Sequence, residues 1–387
     1  MGSFTRRHFL QGTAAAAALS SLPGASLSSF AQQATAGQGF HAASVAPAAG
    51  SSADTLRGAG ASRGILVGCA VRAELLRSNA PYAELVRRQA GLLVGESEFK
   101  FGPLRPTPTS FFFDDADTIA EFAHANGMQL RGHNFVWHRQ LPVWFDAYMN
   151  RRTAEDVLVR HIEVVGGRYA GRMHSWDVVN EAIQISDGLP DGMRNSPWQK
   201  VLPGYIDIAF RTARRVDPKA LLVYNDYAIE GEDEKSAAKR EAVLALLRGM
   251  QARGVPLDAV GIQSHISAGP AHTYGPGLTK FMQDVQALGL KMLLTEMDVN
   301  DRELPPDVGA RDAAVAEVYR SYLNTTLANP AVVALLTWGI TDRFTWLNHE
   351  GNRKDTQPER CLPFDTDLQP KAAFTAELEA LQKAPVR

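Results

Sequence analysis

Ser175-Trp176-Asp177-Val178-Val179-Asn180 is a short run with an apolar Trp and Val pair that leads into Glu181. It has the length of a strand buried on both faces. It lies between two stretches of helical period, Ala154–Tyr169 and Tyr205–Val216. Outward from it, the same alternation repeats in both directions. Gly64–Ala70, Leu92–Gly95 and Gln129–His133 precede it, and Leu221–Asn225, Ala259–Ser264, Met292–Glu296 and Val332–Gly339 follow. The amphipathic stretches Pro81–Ala90, Ala116–Ala125, Ser236–Arg253, Thr279–Leu288, Ala310–Ala328 and Ala372–Gln382 separate and end the series. Eight strand–helix units within residues 63–387 place the chain in the α/β class as a single (β/α)8 TIM barrel. A doubly wound open sheet of the dinucleotide type would carry Gly-x-Gly-x-x-Gly after its first strand, where this chain has Cys69-Ala70-Val71-Arg72-Ala73-Glu74.

Residues before the barrel read differently. Thr5-Arg6-Arg7-His8-Phe9-Leu10, the Ala-rich run Gly12–Leu19 and the small residues around Ser29-Phe30-Ala31 form a twin-arginine signal peptide over 1–31. The apolar run is too short to span a bilayer. Residues 32–62, rich in Ala, Gly, Ser and Gln, read as a flexible linker. The mature protein is therefore expected in the periplasm or outside the cell.

With 45% hydrophobic and 21% charged residues, the 387-residue chain is not disordered, collagenous or a coiled coil. Its 40 basic and 42 acidic residues leave a net charge of -2, without the basic excess of a nucleic-acid or membrane-surface binder. Cys69 and Cys361 are too few for a disulfide framework. They fall on the first strand and beyond the eighth, neighbours in a closed barrel, where two buried thiols are expected in preference to a bridge.

Barrel enzymes work at the C-terminal ends of their strands. Those ends are polar here, and two carry glutamates, Glu181 and Glu296. Facing each other across the mouth, two carboxylates can flank one glycosidic bond, one protonating the leaving oxygen and the other attacking carbon or activating water. A lone strand-end glutamate would instead be read as a helix cap. Trp137, Trp338 and Trp346 lie just past strand ends, where an indole face can stack on a pyranose ring, whereas Trp176 in mid-strand reads as core. His133, His265 and Asp298 could in principle converge on a metal, but their spacing matches no metal motif, and binding of sugar hydroxyls is the preferred reading. His265 and Asp298 are expected to pair, with His265 steadying Glu296.

Six segments carry a family resemblance: Arg131–His138 (RGHNFVWH), Trp176–Ala182 (WDVVNEA), Tyr224–Tyr227 (YNDY), Gly261–His265 (GIQSH), Leu294–Asp298 (LTEMD), and Trp338–Asp342 (WGITD) with Trp346. In this order they resemble glycoside hydrolase family 10, the retaining endo-β-1,4-xylanases, from Arg63 to the C-terminus. The resemblance implies that Glu181 is the general acid/base and Glu296 the nucleophile. Asn180 would bond the sugar 2-hydroxyl and the nucleophile, and His133, Gln263 and His265 would line the same subsite. Trp137, Trp338 and Trp346 would wall the cleft, Glu98 and Lys100 would bind the non-reducing-side sugars, and Tyr227 and Asp298 complete the set. It further implies xylan or xylo-oligosaccharides as substrate, no cofactor or metal, no nucleic-acid or membrane partner after signal removal, and a monomer. Retention requires carboxyl groups roughly 5–5.5 Å apart.

Two rivals remain at this stage: a related β-1,4-glycanase acting on glucan or aryl glycosides, and a metal-dependent barrel hydrolase. A non-catalytic glycan-binding barrel is a third, which the intact glutamate pair argues against. The first rests on a departure. Glu96-Ser97-Glu98-Phe99-Lys100-Phe101 stands where the family usually has Glu-Asn-Glu-Met-Lys-Trp, so the amide that would hold a glycone sugar is missing. Ser264 replaces a usual Gly and Ala228 a usual Asn. The charged segment Leu347–Cys361, with Arg353, Lys354, Glu359 and Arg360, is either a lid or sugar contact or a solvated loop.

Overall fold

A computed structural model describes residues 52–269, 272–349 and 353–387. Among these, the strands are β1 (Leu66–Val71), β2 (Leu92–Gly95), β3 (Gln129–Val136), β4 (Met173–Asn180), β5 (Leu221–Asp226), β6 (Ala259–Ile262), β7 (His265–Ser267), β8 (Lys291–Asn300) and β9 (Val332–Thr337). Every pairing between them is parallel. β1 pairs with both β2 and β9, and β6 pairs with β8, so eight strands close into a ring. β7 stands outside the ring, paired with the C-terminal half of β8 through His265 and Asp298.

The alternation of side chains along a strand explains the two layers of core. Leu92, Val94, Val223, Ala259, Leu293, Ala334 and Leu336 fill the barrel interior. Their neighbours Leu93, Met292, Leu294 and Leu335 point outward and pack with the helices. The helix Tyr205–Val216 shows the matching logic, burying Ile206, Ala209, Phe210 and Ala213 on one face. Each fully buried Phe or Ile there contributes about 1.5–3 kcal/mol. Asp233 starts the helix Glu234–Ala252 by accepting from the Lys235 and Ser236 amides. Trp176 is core, stacked on Phe135 at 4.2 Å, with its indole N–H donating to Asp217 at 3.1 Å.

Three expectations need correction. The linker was expected to reach residue 62, but Leu56–Ala61 is a helix capped by Thr55, and it buries Leu56 and Ala59 against the first strand and the C-terminal helix Ala372–Lys383. Small residues form a helix there because it has a face to cover. The sixth strand was expected to run to Ser264 but stops at Ile262, since Ser264 is left-handed (φ 63°) and turns the chain outward before β7. β4 and β8 are also not diametrically opposed: β5 and β6 lie between them on one side, which puts residues of those strands between the two glutamates.

Ala228 is left-handed as well (φ 55°), a conformation that favours the Asn or Gly usual in such a turn. The signal peptide and linker residues 1–51 lie outside the described residues. No helix among the described residues is long and apolar enough to cross a membrane.

Candidate active site

Glu181 follows the last residue of β4 and Glu296 lies within β8, both buried at the same end of the barrel (8% and 5% exposed). Glu181 is left-handed (φ 59°), and its amide donates to the Asn225 carbonyl at 2.8 Å. The Glu296 amide donates to the Gln263 carbonyl at 2.9 Å. Three side-chain amides then link the carboxylates. Asn225 Nδ2 donates to Glu296 Oε1 at 2.7 Å and to Asn180 Oδ1 at 2.9 Å. Gln263 Nε2 donates to the same Asn180 oxygen and to Glu181 Oε1, both at 3.1 Å. Asn180 Nδ2 completes the set on Glu181 Oε1 at 3.3 Å.

The sequence reading gave the contact to Glu296 to Asn180. The structure gives it to Asn225, and Asn180 faces Glu181. Asn225 closes the fifth strand run, but only the pairing of β5 with β6 reveals its part. A Cβ on Gly261 would lie 2.1 Å from Asn225 Oδ1, so glycine on the neighbouring strand leaves room for this amide. Thr295 holds the same oxygen at 2.7 Å.

The other oxygen of Glu296 meets His265 Nε2 at 3.1 Å, and His265 Nδ1 meets Asp298 Oδ1 at 3.0 Å. Asp298 also accepts from the Trp346 indole at 2.8 Å. A chain Trp346–Asp298–His265–Glu296 therefore fixes the ring and the carboxylate together. His133 lies 3.9 Å from Glu296 Oε1 and bonds Asp177 at 2.8 Å. Asp177 is in turn ion-paired to the buried Arg131.

These neighbours drive the two carboxyls apart. Burial would raise Glu296, but the charge of His133 and the bonds from His265 and Asn225 pull it down to about 2. Burial pushes Glu181 above its ordinary value, and the charges of Asp226 and Glu296 push the same way, against the Gln263 hydrogen bond. His265 is held well above its usual value: burial opposes its charge, but Asp298 and Glu296 overcome that.

Trp137, Trp338 and Trp346 gather around this group. Lys100 Nζ sits 4.9 Å from the Trp137 ring centre and 5.5 Å from that of Trp338, and Trp338 meets His133 edge-on at 5.3 Å. Tyr227 lies beside Glu181's loop, its hydroxyl accepting from Arg194 at 3.1 Å and its ring under Lys239 at 3.8 Å. Glu98, implied as a sugar binder, is fixed by backbone amides. Its two oxygens accept from the Ala73 and Ser97 amides at 2.7 and 2.9 Å. Glu96, which the sequence reading passed over, is clamped at both oxygens by Arg72 at 2.7 and 3.0 Å.

Two other sequence features resolve. Arg353, Glu359 and Arg360 turn inward instead of forming a lid, sugar contact or solvated loop. Arg353 Nη2 bonds the Leu304 carbonyl at 2.7 Å, Glu359 accepts from the Asp301 amide at 3.3 Å, and Arg360 grips Asp312 at 2.7 Å. Cys69 and Cys361 are buried free thiols. As for a metal, ligand atoms of His133, Asp177 and Glu296 lie within 4.8 Å of one another, yet Arg131 already neutralises Asp177. His265 and Asp298 are paired to each other on the far oxygen of Glu296, so the trio His133, His265 and Asp298 does not present converging ligand atoms.

The sequence profile of glycosyl hydrolase family 10 matches residues 55–380. The chain belongs to that family. It is 33% identical over 318 residues to endo-1,4-beta-xylanase A of Caldicellulosiruptor sp. strain Rt8B.4, a match covering 75% of this chain and 42% of that protein. The chain thus spans less than half the length of that relative. Native xylanase 10B from Thermotoga maritima superposes with a TM-score of 0.78 at 33% identity, over 85% of this chain and 98% of that one. Xylanase 10B from Thermotoga petrophila RKU-1, solved in complex with xylobiose, gives 0.77 at 32% identity over 85% and 97%. Residues 3–23 of this family 10 chain match the twin-arginine translocation signal sequence, which directs export by that route.

Proposed function

We propose that this protein is a retaining endo-β-1,4-xylanase, exported through the twin-arginine route and acting as a monomer on xylan without a cofactor. One observation carries the reading: Glu181 and Glu296 share one amide network while their surroundings push one carboxyl up and the other down. The relatives named xylanase and the bound xylobiose of one of them favour xylan over glucan.

In the first step Glu181 gives its proton to the glycosidic oxygen while Glu296 attacks the anomeric carbon. The C–O bond to the leaving sugar breaks and a glycosyl ester forms on Glu296. Esterification removes the Glu296 charge, so the Glu181 pKa falls and its carboxyl stands ionised, ready to take a proton. Glu181 then takes a proton from water, the hydroxyl attacks the same carbon, and Glu296 leaves as carboxylate. Asn225 and His265 hold that carboxylate before and after. Trp137, Trp338 and Trp346 stack on sugar rings, Lys100, His133 and Asn180 offer donors to hydroxyls, and Gln263 holds Asn180 and Glu181 in place.

The pH profile follows from the two carboxyls. kcat/KM requires Glu296 ionised and Glu181 protonated in the free enzyme. Its acid limb is expected near pH 2, where Glu296 gains its proton, and its basic limb above 4.5, because Glu181 is raised from that value. Steady-state kinetics on xylotetraose and cellotetraose across pH checks both the limbs and the substrate. A strong preference for the cello-oligosaccharide would move the assignment to the glucanase reading that Ser97 raised.

A further inference from the structure

Glu181 has a second side. Its Oε1 receives Gln263 and Asn180, whereas its Oε2 looks at His138 Nδ1, 3.7 Å away, and Arg194 Nη2, 3.9 Å away. Arg194 comes from the loop after β4. That loop doubles back through an antiparallel bridge between Ile183 and Met193, and the Arg194 amide donates to the Ala182 carbonyl at 2.6 Å. The turn delivers an almost buried guanidinium (side chain 11% exposed) onto the residue it left. Nε donates to the Glu181 carbonyl at 2.7 Å, and Nη2 donates to the Tyr227 hydroxyl at 3.1 Å and to Gln184 Oε1 at 3.4 Å. The peptide of Glu181 is therefore clamped on both sides, by Asn225 at its amide and by Arg194 at its carbonyl, in a left-handed conformation that non-glycine residues avoid.

We propose that Arg194 is the positioning residue of the acid/base: it pins the strained Glu181 peptide and places a fixed positive charge opposite Oε2, supporting Glu181 as a carboxylate in the second half-reaction. This rests on the retaining mechanism proposed above. The other groups facing Glu181 do not supply that charge at Oε2. Burial, Arg194 and Arg139 hold His138 down to about 4, so it is neutral at ordinary pH, and its buried Nδ1 has no hydrogen bond. Asp226 is negative and paired at 2.7 Å with Lys239. Glu296 repels until it is esterified. Lys100 acts on both glutamates but sits over the Trp137 and Trp338 rings.

The balance of the second step shows what Arg194 contributes. Water loses a proton to Glu181, its oxygen bonds the anomeric carbon, and the ester bond to Glu296 breaks. Glu181 must enter that step ionised, and of the two side chains that face Oε2, His138 is neutral and Arg194 carries the charge. In Arg194→Met the guanidinium and its hydrogen bonds are lost, and in Arg194→Lys the charge is kept without the clamp on the carbonyl.

Carbon-13 titration of the Glu181 carboxyl, assigned with Glu181→Gln, reads the charge without substrate. In Arg194→Met its pKa is expected to rise by about one pH unit or more, and in Arg194→Lys to stay closer to wild type. On 2,4-dinitrophenyl β-xylobioside, whose leaving group needs no acid, kcat of the Met variant should fall about tenfold or more while kcat/KM stays within about threefold. An unmoved titration in a Met variant with wild-type circular dichroism overturns the proposal, as does an equal loss of kcat and kcat/KM in both variants. Because the titration needs no turnover, a failed xylanase assignment would leave it readable. A wild type that cleaves xylan with an unmoved titration would sink Arg194 alone.

Discussion

Glu296→Gln is expected to lower turnover of xylo-oligosaccharides by on the order of 10⁵-fold with the fold intact, because no group is left to form the glycosyl ester. Glutamine matches the size of the lost carboxylate, and its oxygen can still accept from Asn225. Its amide nitrogen would face His265 Nε2, which keeps its partner Asp298 on the other ring nitrogen and so can turn that nitrogen into an acceptor. A thermal melt close to that of wild type would separate chemistry from unfolding. The smaller Glu296→Ala opens the face that the carboxylate occupied. Azide should enter there and give the inverted α-xylosyl azide. Turnover within about tenfold of wild type in the Gln variant would remove Glu296 from the chemistry.

Removing the proton donor has a different signature. Glu181→Ala should slow xylan hydrolysis by about 10²–10⁴-fold, the usual worth of a positioned acid/base. The loss depends on the leaving group. Dinitrophenolate departs unprotonated, so the first step survives on the activated aryl xylobioside and the ester accumulates. Azide needs no base, so it should restore turnover and yield the β-azide with retained configuration. The opposite azide anomers from the two variants distinguish nucleophile from acid/base. An equal effect of Glu181→Ala on activated and natural substrates would contradict its assigned part.

Much of this arrangement was legible in the chain because burial on both faces writes strands as short apolar runs. Val178-Val179 and Leu293-Leu294 leave little choice but a buried strand, and polar residues at their ends stand out against that background. What stayed hidden depends on register or on loops. Asn225 looked like one polar strand end among several until its pairing beside Gly261 aimed its amide at Glu296. Arg194 and His138 sit in loops without periodicity, and only the return bridge at Ile183–Met193 brings the first onto Glu181. The backbone amides of Ala73 and Ser97 that Glu98 accepts from are invisible in sequence. The helix Leu56–Ala61 is low in intrinsic signal, since Gly58 and Gly60 disfavour it, and it exists because the C-terminal helix gives it something to cover. Arg353 and Glu359 could be read either as a lid or sugar contact or as a solvated loop because their partners, Asp301 and Leu304, lie about fifty residues away.

Proton NMR of xylotetraose during the first minutes of hydrolysis tests the central claim most directly, because it reports which face of the sugar water attacks. Two displacements, the first by Glu296 and the second assisted by Glu181, produce the β-anomer first, with the α-anomer appearing only as mutarotation proceeds. A first-formed α-anomer would mean one direct attack by water, and Glu296 would then be a base and never a nucleophile.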